Sequence, residues 1–205
     1  MSTRETSEKN DIGTYGEILL SLARQSIRQA SEEGKVSVAP DKVLEALGLS
    51  RKNLPAKLKS KKGTFVTLTK DDELRGCIGH IEPVQPVYID VVDNACSAAF
   101  KDPRFPIVAK SELDSLKIEV SLLTVPKRLS YKNMDELLRA ITPEKHGVII
   151  SKGAYSSTFL PQVWEQLPKK EDFLSHLCVK AGLHRDEWRL GMLEVSLYKV
   201  EKISW

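Results

Sequence analysis

The segment Leu74-Arg75-Gly76-Cys77-Ile78-Gly79-His80 is where residue types and spacing could do chemistry. Two glycines bracket a cysteine inside a run that otherwise reads as a β-strand. Glycine weakens a strand and marks a bulge, or close approach by a ligand or another backbone. Side chains alternate between the faces of a regular strand, so Arg75 and Cys77 are expected to share one face, with Gly76 leaving the backbone between them uncovered. A guanidinium beside a thiol favours the thiolate, the nucleophilic and metal-binding form. His80 lies at an odd offset from Cys77 and is expected on the opposite face. A Cys77–His80 dyad would require a bulge, for which Gly79 is the natural place. The plain alternative is that Cys77 is a small buried hydrophobe.

Two other places carry polar chemistry. Asp102 and Arg104 sit in Asp102-Pro103-Arg104-Phe105-Pro106, a loop stiffened by two prolines. There an Arg oriented by an Asp could grip a carboxylate or phosphate, or the two could form a salt bridge that only holds the turn. Glu119 and Ser121 share one face of a strand otherwise rich in Ile, Val and Leu. Glu119 reads as a general base beside Arg75 or Arg104, or as one half of a structural ion pair. Tyr155, Phe159, Gln162 and Trp164 border a second hairpin, either lining a cleft or packing. The scattered histidines His146, His176 and His184 have no zinc-ligand spacing, and no Gly-x-Gly-x-x-Gly or Walker loop occurs. No metal and no cofactor is therefore expected.

The elements that must position these residues follow from periodicity. Thr14 to Glu33 reads as an amphipathic helix, with a Thr14/Glu17 capping box and apolar residues from Ile18 to Ala30 at helical spacing. Asp41 to Leu47 is a short helix ending at Gly48. The basic stretch Arg51 to Lys62 reads as a surface loop. Thr64–Thr69 and Leu74–Ile81 form a hairpin across the polar link Lys70 to Glu73. Residues 87 to 100 form a buried helix whose small face (Ala95, Ala98, Ala99) suits close packing on a sheet. Lys117–Thr124 is a strand, and Asn133 caps a short helix. Val148–Ser151 and Tyr155–Leu160 pair around Lys152-Gly153, Glu171–Ala181 is a helix stopped by Gly182, and Leu193–Ile203 is a closing strand. Short turns between strands predict an α+β fold with a mostly antiparallel sheet flanked by helices and a smaller subdomain packed against it. Residues 1–13 are expected as a flexible tail and 14–205 as one domain, with 14–62 contributing to the smaller subdomain.

Bulk properties narrow the class. The 205 residues are 41% hydrophobic and 29% charged, with a net charge of +3 that demands no polyanionic partner. Three cysteines give no disulfide framework and point to a reducing compartment. The polar N-terminus and the lack of a long apolar run set the expectation at a cytoplasmic protein without a membrane span.

The segment Leu74 to Gly79 resembles the signature of the AMMECR domain family. The likeness extends to Gly63-Thr64-Phe65-Val66-Thr67-Leu68 before it, and to later blocks in the same order. These are Asp102-Pro103-Arg104-Phe105, Ile118-Glu119-Val120-Ser121, His146-Gly147-Val148, Leu160-Pro161-Gln162-Val163 and Lys180-Ala181-Gly182-Leu183. The resemblance implies an α+β fold with a main and a smaller subdomain and a cleft near the signature. It brings no established reaction with it. In prokaryotes, members of the family neighbour or are fused to Memo-like and radical S-adenosylmethionine proteins, which implies a shared modification pathway.

Two functions stay open at this point. In an enzyme, Cys77 and Glu119 would act on a small anionic metabolite or modified nucleobase. Arg75, Gly76, Gly79, His80, Asp102 and Arg104 would bind the substrate, the glycines letting main-chain N–H groups approach it. In a binding or adaptor module, the same surface would dock a small ligand or a partner protein. Nucleic-acid binding through Arg51 to Lys62 is the weaker third reading, because the stretch lacks interleaved aromatics. Oligomeric state is left open.

Overall fold

The computed structural model describes the backbone of residues 4–204 and the side chains of residues 15–204. Its first half contains helices α1 (Arg4–Glu32), α2 (Pro40–Ala46) and α3 (Ala56–Lys59), strands β1 (Thr64–Lys70) and β2 (Glu73–His80), helix α4 (Val87–Phe100) and strand β3 (Lys117–Leu123). Then follow β4 (Lys127–Arg128), α5 (Met134–Ala140), β5 (Gly147–Lys152), β6 (Tyr155–Phe159), α6 (Lys170–Lys180), β7 (Glu194–Tyr198) and β8 (Val200–Ser204). The fold is α+β, with antiparallel strand pairs in two sheets ordered β2-β1-β3-β8 and β4-β7-β5-β6. Among the described residues no helix is long and apolar enough to cross a membrane.

The chain divides into two compact units between Leu122 and Leu123, with Glu201–Trp205 returning to the first. In the first unit, α1 buries Leu19, Leu22, Ala23, Ile27 and Ala30, a stripe at helical spacing. It begins at Arg4 rather than at Thr14, and the capping contact expected of the Thr14 side chain falls outside the described side chains. Residues 14–62, expected to contribute to a smaller subdomain, share one core with the hairpin: Leu19, Val43 and Leu58 cluster with Val66 and Val91. The basic stretch is not a free loop. Leu54 and Leu58 are buried in it, Arg51 pairs with Asp41 at 2.7 Å, and the Lys57 ammonium lies 4.8 Å from the centre of the Tyr15 ring.

The β1–β2 link is a two-residue turn, with Lys70 opposite Glu73 and positive φ at both Asp71 and Asp72. Aspartate tolerates the left-handed region, and this backbone matches the twist of a hairpin. Farther in, Thr69 pairs with Leu74 but Leu68 pairs with Gly76, so Arg75 is an extra residue in a β-bulge. Helix α4 packs against α1 and against both strands of the hairpin. Its small face lets it sit close: a Cβ at Gly76 would stand 2.2 Å from the Ala98 carbonyl oxygen.

In the second unit, β5 and β6 turn through Gly153, and Asn133 caps α5 by accepting from Glu136 N–H at 2.9 Å. The Trp164 and Phe173 rings stack with centres 3.6 Å apart, in a core with Val148, Ile150 and Val195. Trp164 is thus a core residue. The closing strand expected as one run from Leu193 to Ile203 is broken at Lys199 into β7 and β8, which belong to different sheets. Thr124 takes up the Lys199 backbone at the break: Thr124 N–H donates to Lys199 O, and Lys199 N–H donates to Thr124 Oγ1, each at 2.9 Å.

The contact at Gly76 is backbone against backbone, which has little room to yield. Gly76→Ala is expected to cost about 1–3 kcal/mol through overpacking. That loss should read as a lower urea midpoint at unchanged m value; an unmoved midpoint would contradict the close contact.

Candidate functional site

The bulge at Arg75 sets the geometry of the signature segment. Between Gly76 and His80 the register is unbroken, with Cys77 opposite Thr67 and His80 opposite Thr64. Directly opposed residues in an antiparallel pair share a face. Val66 and Leu68 on β1 point into the core, so Cys77 and Thr67 occupy the other, outer face of the sheet. The Cys77 Sγ and Thr67 Oγ1 lie 3.3 Å apart, and either can donate. Because β1 also pairs with β3, Thr67 stands opposite Glu119. The outer face therefore carries a row Cys77–Thr67–Glu119, extended to Lys202 of β8, whose ammonium is 3.5 Å from Glu119 Oε1.

Cys77 is on an edge strand, and its outward backbone groups are taken up by side chains. Cys77 N–H donates to Asp102 Oδ2 at 2.8 Å, and Arg104 Nη2 donates to Cys77 O at 3.0 Å. Asp102 accepts three more hydrogen bonds, all from Arg104: N–H and Nε to Oδ1, and Nη2 to Oδ2 at 2.7 Å. The Arg104 guanidinium, followed by these N–H donors, holds the nearly inaccessible Asp102 carboxyl far below the ordinary carboxylate range. Asp102 in turn raises the Arg104 pKa, and the neighbouring Cys77 side chain adds to that direction. The cation beside the thiol is therefore Arg104. Its side chain is 54% exposed, and its bonds to Asp102 and to Cys77 O run from Nε and Nη2.

The expected Arg75–Cys77 pair does not form, and the bulge is the reason. Arg75 Nε and Nη2 donate to the two carboxylate oxygens of Glu112 at 3.2 and 3.0 Å. The remaining Nη1 donates to Pro106 O at 2.8 Å, and Nη2 also reaches Ile107 O. At 13% exposure Arg75 ties β2 to the loop after α4. The glycines are not open backbone either. Gly76 faces the Ala98 carbonyl, and a Cβ at Gly79 would strike Thr64 O and the Phe65 ring, each within 2.3 Å. With its N–H given to Asp102, Cys77 offers no main-chain donor to a ligand. His80 is directed away from Cys77. Its Nδ1 lies 2.9 Å from Asp90 Oδ1, within a buried network in which Thr64 and Asn94 donate to Asp90 Oδ2. Glu119 is separated from Cys77 by a whole strand, about 10 Å of backbone, so it is no direct base for the thiol.

The AMMECR1 family model matches residues 20–203. The chain belongs to the AMMECR1 family. Relatives include Protein MK0488 of Methanopyrus kandleri, 41% identical over 194 residues that cover 91% of this chain and 86% of that protein. Protein NEQ441 of Nanoarchaeum equitans is 40% identical, with 88% and 95% covered. The crystal structure of the uncharacterized protein PH0010 from Pyrococcus horikoshii superposes with a TM-score of 0.76 at 35% identity, covering 92% of this chain and 90% of that one.

In this member of the AMMECR1 family, two site residues escaped sequence reasoning. Thr67 contacts the thiol, and its signal lay in the two-residue turn, from which cross-strand partners can be counted once the bulge is known. Glu112 is the partner of Arg75; it comes from a 3-10 turn (Lys110–Ser115) with no motif to flag it.

Arg75 holds the Glu112 carboxyl at about 2, with help from the Ala109 N–H and Lys70. Both Glu112 and Asp102 thus bind protons more weakly folded than in the unfolded chain, where carboxyls titrate near about 4. Their stabilisation is complete above the unfolded value and is lost as pH falls toward the folded one. Urea unfolding should show stability dropping from about pH 5 toward pH 2. Glu112→Gln should lose about 2 kcal/mol at pH 7 and flatten that slope; an equally steep slope in the variant would exclude Glu112 as a cause.

Proposed function

We propose that Cys77, Thr67 and Arg104 form a thiol site that acts on a small anionic metabolite or modified nucleobase bearing an electrophilic carbon. The supporting observation is the contrast among the cysteines. Cys96 and Cys178 are buried in the two cores, where loss of solvation pushes Cys96 up to about 11 and raises Cys178. Such thiols are inert. Cys77 alone of the three is only half-buried, with a hydroxyl and a guanidinium beside it.

The chemistry these groups suit is reversible addition. The sulfur forms a bond to a C=O or C=N carbon, the π bond breaks, and its electron pair moves to the oxygen or nitrogen. That atom takes the proton the thiol gives up, so no outside reactant is needed. Thr67 Oγ1, in contact with the sulfur, relays the proton. Arg104 attracts the substrate anion through Nη1 and supplies the positive charge that a sulfur anion requires. Asp102 is a positioning residue that fixes Arg104. Glu119, paired with Lys202, acts on the thiol only through Thr67.

Alkylation of the native protein with iodoacetamide and with the anionic iodoacetate, followed by mass spectrometry, tests this reading. One label should enter at Cys77 while Cys96 and Cys178 stay unmodified. In Arg104→Gln the iodoacetate-to-iodoacetamide rate ratio should fall about fivefold, the equivalent of about 1 kcal/mol for one half-exposed charge. If Cys77 reacts only after unfolding, or the ratio ignores Arg104, the thiol site is lost as an explanation.

A further inference from the structure

A second, chemically different feature lies wholly within the second unit. A cleft of about 350 Å³ opens where β4 meets the end of β7. Its rim carries Lys127, Arg128 and Lys199, and its floor is Leu129 and Leu197, half-buried against the core of that unit. Lys127 stands opposite Leu197 in the β4–β7 ladder, so one cation and one apolar side chain are set on the same face by register. Lys199 is at the break between β7 and β8, its backbone anchored by the two hydrogen bonds to Thr124. Among the described residues no carboxylate pairs with Lys127 or Lys199; Glu194 pairs with Arg128 at 2.7 Å. The cations thus outnumber the carboxylate.

His146 adds an uncharged donor. Thr142 N–H donates to its Nδ1 at 3.1 Å, which leaves the ring proton on Nε2. Burial, together with Lys199 and Lys145, keeps the ring below the ordinary histidine value, so it faces the cleft as a neutral imidazole. The volume lies in the range of small-molecule sites, which combine an apolar lining with a few convergent polar groups.

We propose that this cleft binds a small organic phosphomonoester, with the phosphate between Lys127 and Lys199 and a compact apolar body on Leu129 and Leu197; Arg128, opposite Ser196 and paired with Glu194, lies on the other face of the ladder. A dianionic head group suits two ammonium groups, since lysine meets phosphate as a point charge. A bare anion would leave the apolar floor unused, and a neutral apolar ligand would leave the cations without a counter-charge. This site is independent of Cys77.

The test is an NMR titration of the full chain with phenyl phosphate, inorganic phosphate, benzoate and benzyl alcohol. Phenyl phosphate should shift the amides of residues 127–129, 146 and 197–199 saturably. Inorganic phosphate and benzoate should bind at least tenfold more weakly, and benzyl alcohol should not bind. Binding should raise the titration midpoint of the His146 ring and leave the Cys77 amide unmoved. The double variant Lys127→Ala, Lys199→Ala changes exposed side chains only. It should keep the spectrum of the second-unit core and weaken phenyl phosphate at least tenfold. Equal binding of inorganic phosphate, benzoate or benzyl alcohol, shifts centred elsewhere, or an unchanged double variant would each overturn the proposal.

Discussion

The turn of the β1–β2 hairpin fixes one register and the packing of α4 requires another, and Arg75 is the residue that joins them. Outward from Asp71-Asp72, Lys70 faces Glu73 and Thr69 faces Leu74. Carried on unchanged, that register would set Cys77 opposite Val66, on the side of the sheet that is sealed in the core. It would also turn the helix-facing side over to a residue with a Cβ, where the Ala98 carbonyl leaves room for none. One inserted residue moves every later side chain to the other face. Gly76 then meets α4, and the sulfur meets Thr67 on the outer face. Burial of Val66, Leu68, Val91 and Ala95 is what makes this phase non-negotiable, because slipping it back would place the apolar set of one strand against the polar set of the other.

A bulged edge strand has unpaired backbone groups, and leaving such groups without partners is costly. Here Asp102 and Arg104 stand in for a neighbouring strand, one accepting from Cys77 N–H and the other donating to Cys77 O. Arg75 makes a similar use of the same loop through Pro106 O and Ile107 O. The prolines at 103 and 106 pre-set that loop at low entropic cost. Arg104 consequently has two jobs, closing the sheet edge and presenting a cation beside a thiol. Its effects on stability and on reactivity are coupled, so they separate only in measurements that read reactivity in the folded state.

What could be read in the sequence was whatever depends on local period. The α1 stripe, the small face of α4, the Asn133 cap and the stop at Gly182 all sit where helical spacing and terminal residues put them. Glycine at 76 and 79 correctly signalled close approach, but the approaching groups are a helix carbonyl and the Phe65 ring, which no local pattern identifies. Arg75 departs from the expected alternation because the β-bulge falls at that position. Glu119 lies on the outer face with Thr67, and its distance from Cys77 depends on strand order, β2-β1-β3, which a hairpin-by-hairpin reading does not supply. The break at Lys199 was hidden for a similar reason: Leu193 to Ile203 is uniformly strand-like, and only the hydrogen bonds to Thr124 show where the chain changes sheet.

Charge illustrates the same limit of composition. A net +3 over 205 residues predicts no affinity for anions, because 28 carboxylates nearly balance 31 Lys and Arg over the whole chain. Arg51 is spent on Asp41, Arg75 on Glu112 and Lys152 on Glu187. What matters chemically is where a cation is placed. In the first unit the Arg104 fork is held beside a sulfur by the Asp102 carboxylate. In the second, Lys127 and Lys199 stand above an apolar floor. Each placement is made by backbone geometry, a bulge in one case and a strand break in the other. Irregular points of this kind leave side chains without the partners that regular ladders would have given them, and those are the side chains available to a ligand.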